Sequence, residues 1–253
     1  MASKIRAAAD FYEHHPISAQ IILTKLVAAR GALDGLCPDE LFPHDQDHYG
    51  GTAANDALAK CAHIGSGTKV VDLCAGLGGP ARYLAHRYGA FVTGVELTPA
   101  RVAGAAELTQ RVGLSGQVQV VEGNVTALPL PDASQDAVVS QEALFHVPDL
   151  ARALSEAHRV LRPGGRLLAL DLRRHGETWV KPQLGDAWLG FSDEELRRLI
   201  GSAGFHDVTV RVGARRSGDP FTVLIAAGTK PASTVSRASD RARLPVHKGN
   251  ATR

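Results

Sequence analysis

The chain of 253 residues has little cysteine, one methionine, few aromatic side chains and almost no net charge. Cys37, Cys61 and Cys74 are an odd number with no C-x-x-C spacing, which argues against a disulfide framework and a cysteine zinc site. No apolar run is long enough to span a bilayer. Met1 to Asp10 lacks the apolar stretch of a secretory leader, so a cytoplasmic location without membrane contact is the expectation. The net charge of +2 is uneven. From Thr229 onward, Lys230, Arg237, Arg241, Arg243, Lys248 and Arg253 face Asp240 alone, which leaves the body mildly acidic. Such a body does not suggest a nucleic-acid surface, and nucleic acid is not an expected partner. The length suffices for a full core without a second domain.

What is present is an alternation of apolar runs and helical patterns. Thr68–Leu73, Phe91–Glu96, Val118–Glu122, Asp136–Ser140 and Gly165–Leu172 read as strands, mostly continuous in apolar character as for strands covered on both faces. Helical stretches at Pro80–Arg87, Pro99–Val112 and Asp149–Leu161 lie between them. This order predicts an α/β fold with a parallel, doubly wound sheet. Thr98-Pro99 is a helix start, Arg162-Pro163-Gly164-Gly165 a stop and turn, and Ser192 with Glu195 a capping box. Two closing strands near Val208–Val212 and Phe221–Ala226 are close enough to pair antiparallel, giving seven strands, mainly parallel. Residues 1–65 read as a helical lid region, with Ile17, Ile21, Leu23, Leu26 and Val27 as a buried face. Residues 66–228 form the core, and the polar, aperiodic tail 229–253 reads as disordered. Arg173–Gly190 is an irregular insert with Trp179 and Trp188.

The segment Val70-Val71-Asp72-Leu73-Cys74-Ala75-Gly76-Leu77-Gly78-Gly79-Pro80-Ala81-Arg82 carries the most information. A strand ends in a carboxylate, and a glycine turn leads into a helix, where the backbone bends sharply and approaches a ligand closely. Gly76 to Ala81 fits G-x-G-x-x-A, so a dinucleotide reading is available. Asp72 speaks against it, because a carboxylate repels a pyrophosphate and suits an ammonium and a sulfonium. Glu96, ending the second strand, can accept from both ribose hydroxyls, which serves either cofactor. In Glu122-Gly123-Asn124-Val125 the Asn124 amide can bond the adenine amino edge while Val125 packs on the ring.

From about Gly50 to Gly228 these motifs, in this order, resemble the class I S-adenosylmethionine-dependent methyltransferases. Asp72-Leu73-Cys74-Ala75-Gly76-Leu77-Gly78 is similar to their acidic, glycine-rich loop, with Cys74 in the place of the first glycine. Glu96, with Leu97 beside it, matches the ribose carboxylate, and Asn124 stands where Asp is commoner. Leu161–Leu168 resembles the turn before strand five, and the closing pair the reversed hairpin of this Rossmann-like fold. The resemblance implies S-adenosyl-L-methionine as cofactor, bound by Asp72, Cys74, Gly76, Gly78, Glu96, Leu97, Asn124, Val125, Ser140 and Gln141.

Ser140-Gln141-Glu142-Ala143-Leu144-Phe145-His146-Val147-Pro148-Asp149 follows strand four, at the sheet end that faces a ligand crevice. It resembles the small-molecule branch, such as sarcosine/dimethylglycine and phosphoethanolamine methyltransferases. There a similarly placed histidine lies in the active site, so His146 is the expected base or acceptor-orienting residue. His44-Asp45-Gln46-Asp47-His48-Tyr49-Gly50-Gly51 resembles the lid of the sarcosine and tocopherol enzymes. Tyr49 is expected at the methyl donor, and His48, Glu142 and Arg173 at the substrate. His44 and His48 have a metal-like spacing but no evident third ligand, so no metal is expected. Tyr12, His14 and His15 can sit in a lid helix, but read rather as surface or packing groups. The expected reaction is methyl transfer to a small molecule, at nitrogen first, with oxygen and sulfur open. A nucleic-acid or protein methyltransferase, an NAD(P) oxidoreductase and a cofactor-sensing protein are the alternatives, and the oligomeric state is not legible.

Overall fold

The computed structural model describes Tyr12 and residues 17–215 and 218–232. His14, His15 and the tail from 233 onward fall outside the described residues. Seven strands form one sheet in the order β3-β2-β1-β4-β5-β7-β6. They are β1 Lys69–Leu73, β2 Phe91–Glu96, β3 Val118–Glu122, β4 Gln135–Gln141, β5 Leu161–Leu172, β6 His206–Arg215 and β7 Thr222–Thr229. β1 to β5 pair in parallel, whereas β7 is antiparallel to both β5 and β6. β1 and β4 sit at the centre, and Val70, Val71, Ala137, Val138 and Val139 are fully buried, which explains their unbroken apolar runs. The strand order reverses between β1 and β4, so their C-terminal ends open a crevice.

Before the sheet come α1 (Ala19–Arg30), α2 (Pro38–Asp45) and α3 (Gly51–Ala62). The buried face of α1 is Ala19, Ile22, Leu23 and Leu26, an i, i+3, i+4, i+7 stripe. Ile21 and Val27, expected inside, are about 40% exposed, because they lie off that stripe. The helices α4 (Gly79–Tyr88), α5 (Pro99–Arg111) and α6 (Leu150–Val160) connect the parallel strands. Pro99 occupies the first turn of α5, but the Thr98 side chain makes no capping bond. Instead the Thr98 backbone N–H donates to Glu96 Oε1 at 3.0 Å. Arg162-Pro163-Gly164-Gly165 does not separate α6 from β5 as a free turn. It is absorbed into β5 as a bulge, with the register stepping from Gln135–Leu161 to Ala137–Arg166. Two short elements complete the order, α7 (Val180–Leu184) in the insert and α8 (Asp193–Ser202) with the expected Ser192–Glu195 capping box.

α2 is fixed to α4 by a fully buried ion pair. Arg82 Nη2 donates to Asp45 Oδ2 at 2.8 Å, and Nη1 reaches Ala105 O and Thr109 Oγ1. The two backbones meet where Gly79 starts α4: a Cβ there would stand 1.9 Å from Asp45 O. Only glycine permits this approach, and it brings the segment after α2 over the loop after β1. Among the described residues no helix is long and apolar enough to cross a membrane.

Candidate active site

The ends of β1, β2, β3 and β4 wall one cavity, and Tyr12 and the segment after α2 close it. Of the residues singled out in the sequence, Asp72, Cys74, Gly76, Glu96, Leu97, Asn124, Val125, Gln141, His48, Glu142 and His146 line it. Gly78, Ser140, Tyr49 and Arg173 are not in its wall. Gly78 caps α4 just behind the loop. Ser140 is fully buried in β4. The Tyr49 ring packs against Phe221, at 6.2 Å between centroids, while its backbone N–H donates to Glu142 Oε1 at 2.8 Å. Arg173 binds Asp193 with contacts of 2.7–3.1 Å and so ties the insert to α8. His48 is held by Tyr49 O and Gln46 Oε1, and burial lowers its pKa. Among the described residues no cluster of metal-ligating side chains occurs.

The loop after β1 turns by placing Cys74, Gly76 and Gly78 in the left-handed region, with φ of 56°, 55° and 75°. Cys74 thus adopts, at a cost of about 1–2 kcal/mol, a conformation that glycine takes freely. Its thiol is buried, and that burial, followed by Glu96 and Asp72 nearby, pushes its pKa up. Glu96 fixes the loop: Oε2 accepts from Gly76 N–H at 2.9 Å while Oε1 accepts from Thr98 N–H. Each oxygen keeps a lone pair for a ligand. Asn124 Oδ1 accepts from both Thr126 N–H and Oγ1, so the end of its amide left for a ligand is the donor NH2.

Six acidic residues, Asp45, Asp47, Asp72, Glu96, Glu142 and Asp149, line the cavity against Arg101 and Arg152. Asp45 is paired with Arg82, and Arg101 with Asp47 at 3.3 Å. Asp72, Glu96 and Glu142 form no ion pair among the described residues. Asp72 Oδ2 and both polar atoms of Gln141 are buried without a hydrogen-bond partner. Burial, reinforced by Glu96, raises Asp72 to about 8, and burial raises Glu142 to about 7. These are carboxylates awaiting a cation. An ammonium and a sulfonium, with ribose hydroxyls and an adenine, fit this donor and acceptor set.

The pH consequence has a definite sign. A carboxylate whose folded pKa is raised favours the folded state below its ordinary pKa near 4, and that contribution is lost as pH climbs to its folded value. The unliganded protein therefore loses stability between about pH 4 and 8 through Asp72 and Glu142. A cationic ligand needs both ionised, so its binding releases protons at pH 6–7. Affinity for S-adenosylmethionine is expected to rise with pH across this window and level off above about pH 8. Calorimetry in buffers of different ionisation enthalpy measures the released protons, and a pH-independent affinity would contradict the assignment.

The 3-10 turn Leu144–His146 carries His146 into the cavity. Asp171, fully buried at the end of β5, holds that turn by accepting from Leu144 N–H at 3.0 Å. The Tyr12 hydroxyl lies 2.7 Å from His146 Nε2, and its ring meets the imidazole edge-on. Tyr12 is thus part of the cavity rather than a surface group, and Arg101 stacks over its ring at 5.0 Å. The sequence carries no local signal for this pairing, because 134 residues separate the partners.

Residues 71–169 match the family model described as a methyltransferase domain. A sterol 24-C-methyltransferase of Gibberella zeae is 42% identical over 108 residues, covering 43% of this chain and 28% of that protein. The glycine/sarcosine/dimethylglycine N-methyltransferase of Actinopolyspora halophila is 39% identical over 149 residues, covering 59% and 26% respectively. The alignments thus span roughly a quarter of these relatives' lengths. In fold, the chain superposes on a geranyl diphosphate methyltransferase, solved with GPP and sinefungin, at a TM-score of 0.69. There the identity is 17%, and 90% of this chain and 99% of that one are covered.

Proposed function

We propose that the chain, whose residues 71–169 match a methyltransferase domain, is a class I S-adenosylmethionine-dependent methyltransferase that methylates a nitrogen atom of a small-molecule acceptor. Residues 66–228 serve as the cofactor-binding core and residues 1–65 as the lid. S-adenosylmethionine supplies a methyl group already activated on sulfur. Asp72 and Gln141 receive the methionine end, Glu96 the ribose hydroxyls, and Asn124 donates to a ring nitrogen of adenine while Val125 packs on its face. The turn of β4 into Glu142 and His146 forms the acceptor side.

The observation that carries nitrogen is the meeting of Glu142, raised to about 7, with the Tyr12–His146 pair in one acid-lined cavity. Carboxylates concentrate a protonated amine, and a neutral imidazole hydrogen-bonded to a hydroxyl removes the proton that blocks its lone pair. Carbon is the second reading, favoured by the sterol relative: methylation of an alkene leaves a cation that the same carboxylates stabilise.

The test is a panel of small amines and small alkenes, followed by release of S-adenosylhomocysteine. Amines are expected to turn over. His146→Ala is expected to cut that turnover by about 10²-fold and leave affinity for S-adenosylhomocysteine within about twofold. Turnover on alkenes alone would overturn nitrogen, and equal loss of affinity and rate would assign His146 a structural role.

A further inference from the structure

The insert between β5 and α8 contributes a carboxylate to the acceptor side. Asp186 follows α7, is 6% exposed, and places Oδ1 3.5 Å from His146 Nδ1, the ring nitrogen opposite the one facing Tyr12. Its position is built rather than incidental. The two residues after it, Ala187 and Trp188, both donate their backbone N–H to Phe145 O, at 2.9 and 3.0 Å. The Trp188 indole N–H donates to Val147 O at 2.9 Å. The insert is therefore strapped to the residues on either side of His146. Asp186 Oδ1 is buried with no hydrogen bond made, and a buried acceptor is costly unless a donor reaches it.

We propose that Asp186 is the positioning residue of His146: it holds the proton on Nδ1, so that Nε2 presents its lone pair to the Tyr12 hydroxyl. The proposal rests on the reading of Tyr12 and His146 as the proton-handling pair. Three other described residues near the pair agree with it. The Phe145 ring lies 4.3 Å away and offers no competing hydrogen bond. Arg101 stacks on the far partner, Tyr12, and is paired with Asp47. Asp171 acts on the backbone through Leu144 N–H. Burial raises Asp186 to about 7 against the attraction of Lys181, so a cationic imidazole beside it favours the ionised form. Apo contacts of this kind are often long and tighten when the site is filled.

The proton path balances. As the acceptor nitrogen bonds to carbon, the carbon–sulfur bond breaks and its electron pair stays on sulfur. Before that bond forms, the proton that blocks the amine lone pair passes to Tyr12 Oη while the Tyr12 hydroxyl proton passes to His146 Nε2. The imidazolium so formed is opposed by the Asp186 carboxylate, and Tyr12 ends neutral.

The experiment is nitrogen-15 NMR of the histidine rings in the unliganded full chain, with His146 assigned by its loss in His146→Ala. In the wild type the proton is expected on Nδ1, with Nε2 bare. Asp186→Asn can donate from its amide to Nδ1 and is expected to move the proton to Nε2, the tautomer switch known from an aspartate-to-asparagine change in a serine protease triad. Turnover should then fall by roughly tenfold to a hundredfold, with S-adenosylhomocysteine affinity within about twofold of wild type, and Asp186→Glu should restore part of the rate. A wild-type proton on Nε2 would overturn the proposal, even if no variant folds, and so would an unchanged tautomer in a folded Asp186→Asn. Since the tautomer is read without ligand, it decides the role of Asp186 separately from whether an amine is the acceptor.

Discussion

Replacing Asp45 with alanine is expected to lower the free energy of unfolding by about 3–5 kcal/mol, the range for stranding a buried charge. Arg82 is fully buried, and the Asp45 carboxylate opposes it with contacts of 2.8 and 3.2 Å. Its other acceptors, Ala105 O and Thr109 Oγ1, are uncharged. Burial already lowers the pKa of the guanidinium, and Asp45 is what opposes that shift. The substitution also deprives Gln46 of the Oδ1 to which its amide donates at 2.7 Å. Through Gln46 the effect reaches Asn55 in α3 and His48 in the cavity wall. A fall in Tm of roughly 10 °C in calorimetry follows for a chain of this size. The double variant Asp45→Ala/Arg82→Met removes both charges and should recover much of the loss. A single variant within about 1 kcal/mol of wild type would contradict the stranded-charge account.

The second large effect is on the cofactor. Glu96→Ala removes the carboxylate that we propose as acceptor of two ribose hydroxyls. Hydrogen bonds to a charged group are worth about 1.5–3 kcal/mol each, so affinity for S-adenosylhomocysteine is expected to fall by roughly 10²–10⁴-fold. Part of that loss is loop geometry, because Gly76 N–H and Thr98 N–H both donate to Glu96. Glu96→Gln separates the two contributions. It keeps the shape and one carbonyl oxygen, replaces the other with a donor, and should weaken binding by about tenfold. Unchanged affinity in both variants would remove Glu96 from the ribose.

How much of this was readable from the chain follows from the range of the forces involved. Strand and helix order is written in local periodicity, so all seven strands were legible, most within a few residues of their observed ends. The reversed hairpin followed from a short loop between two apolar runs. Face assignments were weaker where apolar residues outnumber core positions, as at Ile21 and Val27 on α1. The Arg162–Gly165 turn was visible as composition, but its absorption into β5 depends on pairing with β4. In the site, the places of Asp72, Cys74, Gly76, Glu96 and Gln141 in the cavity wall were legible because each sits at or just beyond a strand end, whereas Gly78 and Ser140 lie outside that wall. Tyr12 and Asp186 were not, because each meets His146 only through tertiary folding. Likewise, nothing local separates the Tyr49 ring, which turns to Phe221, from one directed at a ligand.

The most direct test of the central claim is calorimetric titration of the full chain with S-adenosylhomocysteine, with NADH as comparison and Glu96→Ala as control. The account predicts selective binding of S-adenosylhomocysteine, strongly weakened in the variant, and none of NADH. Binding of NADH alone would contradict it and turn the Gly76–Gly78 loop into a pyrophosphate site.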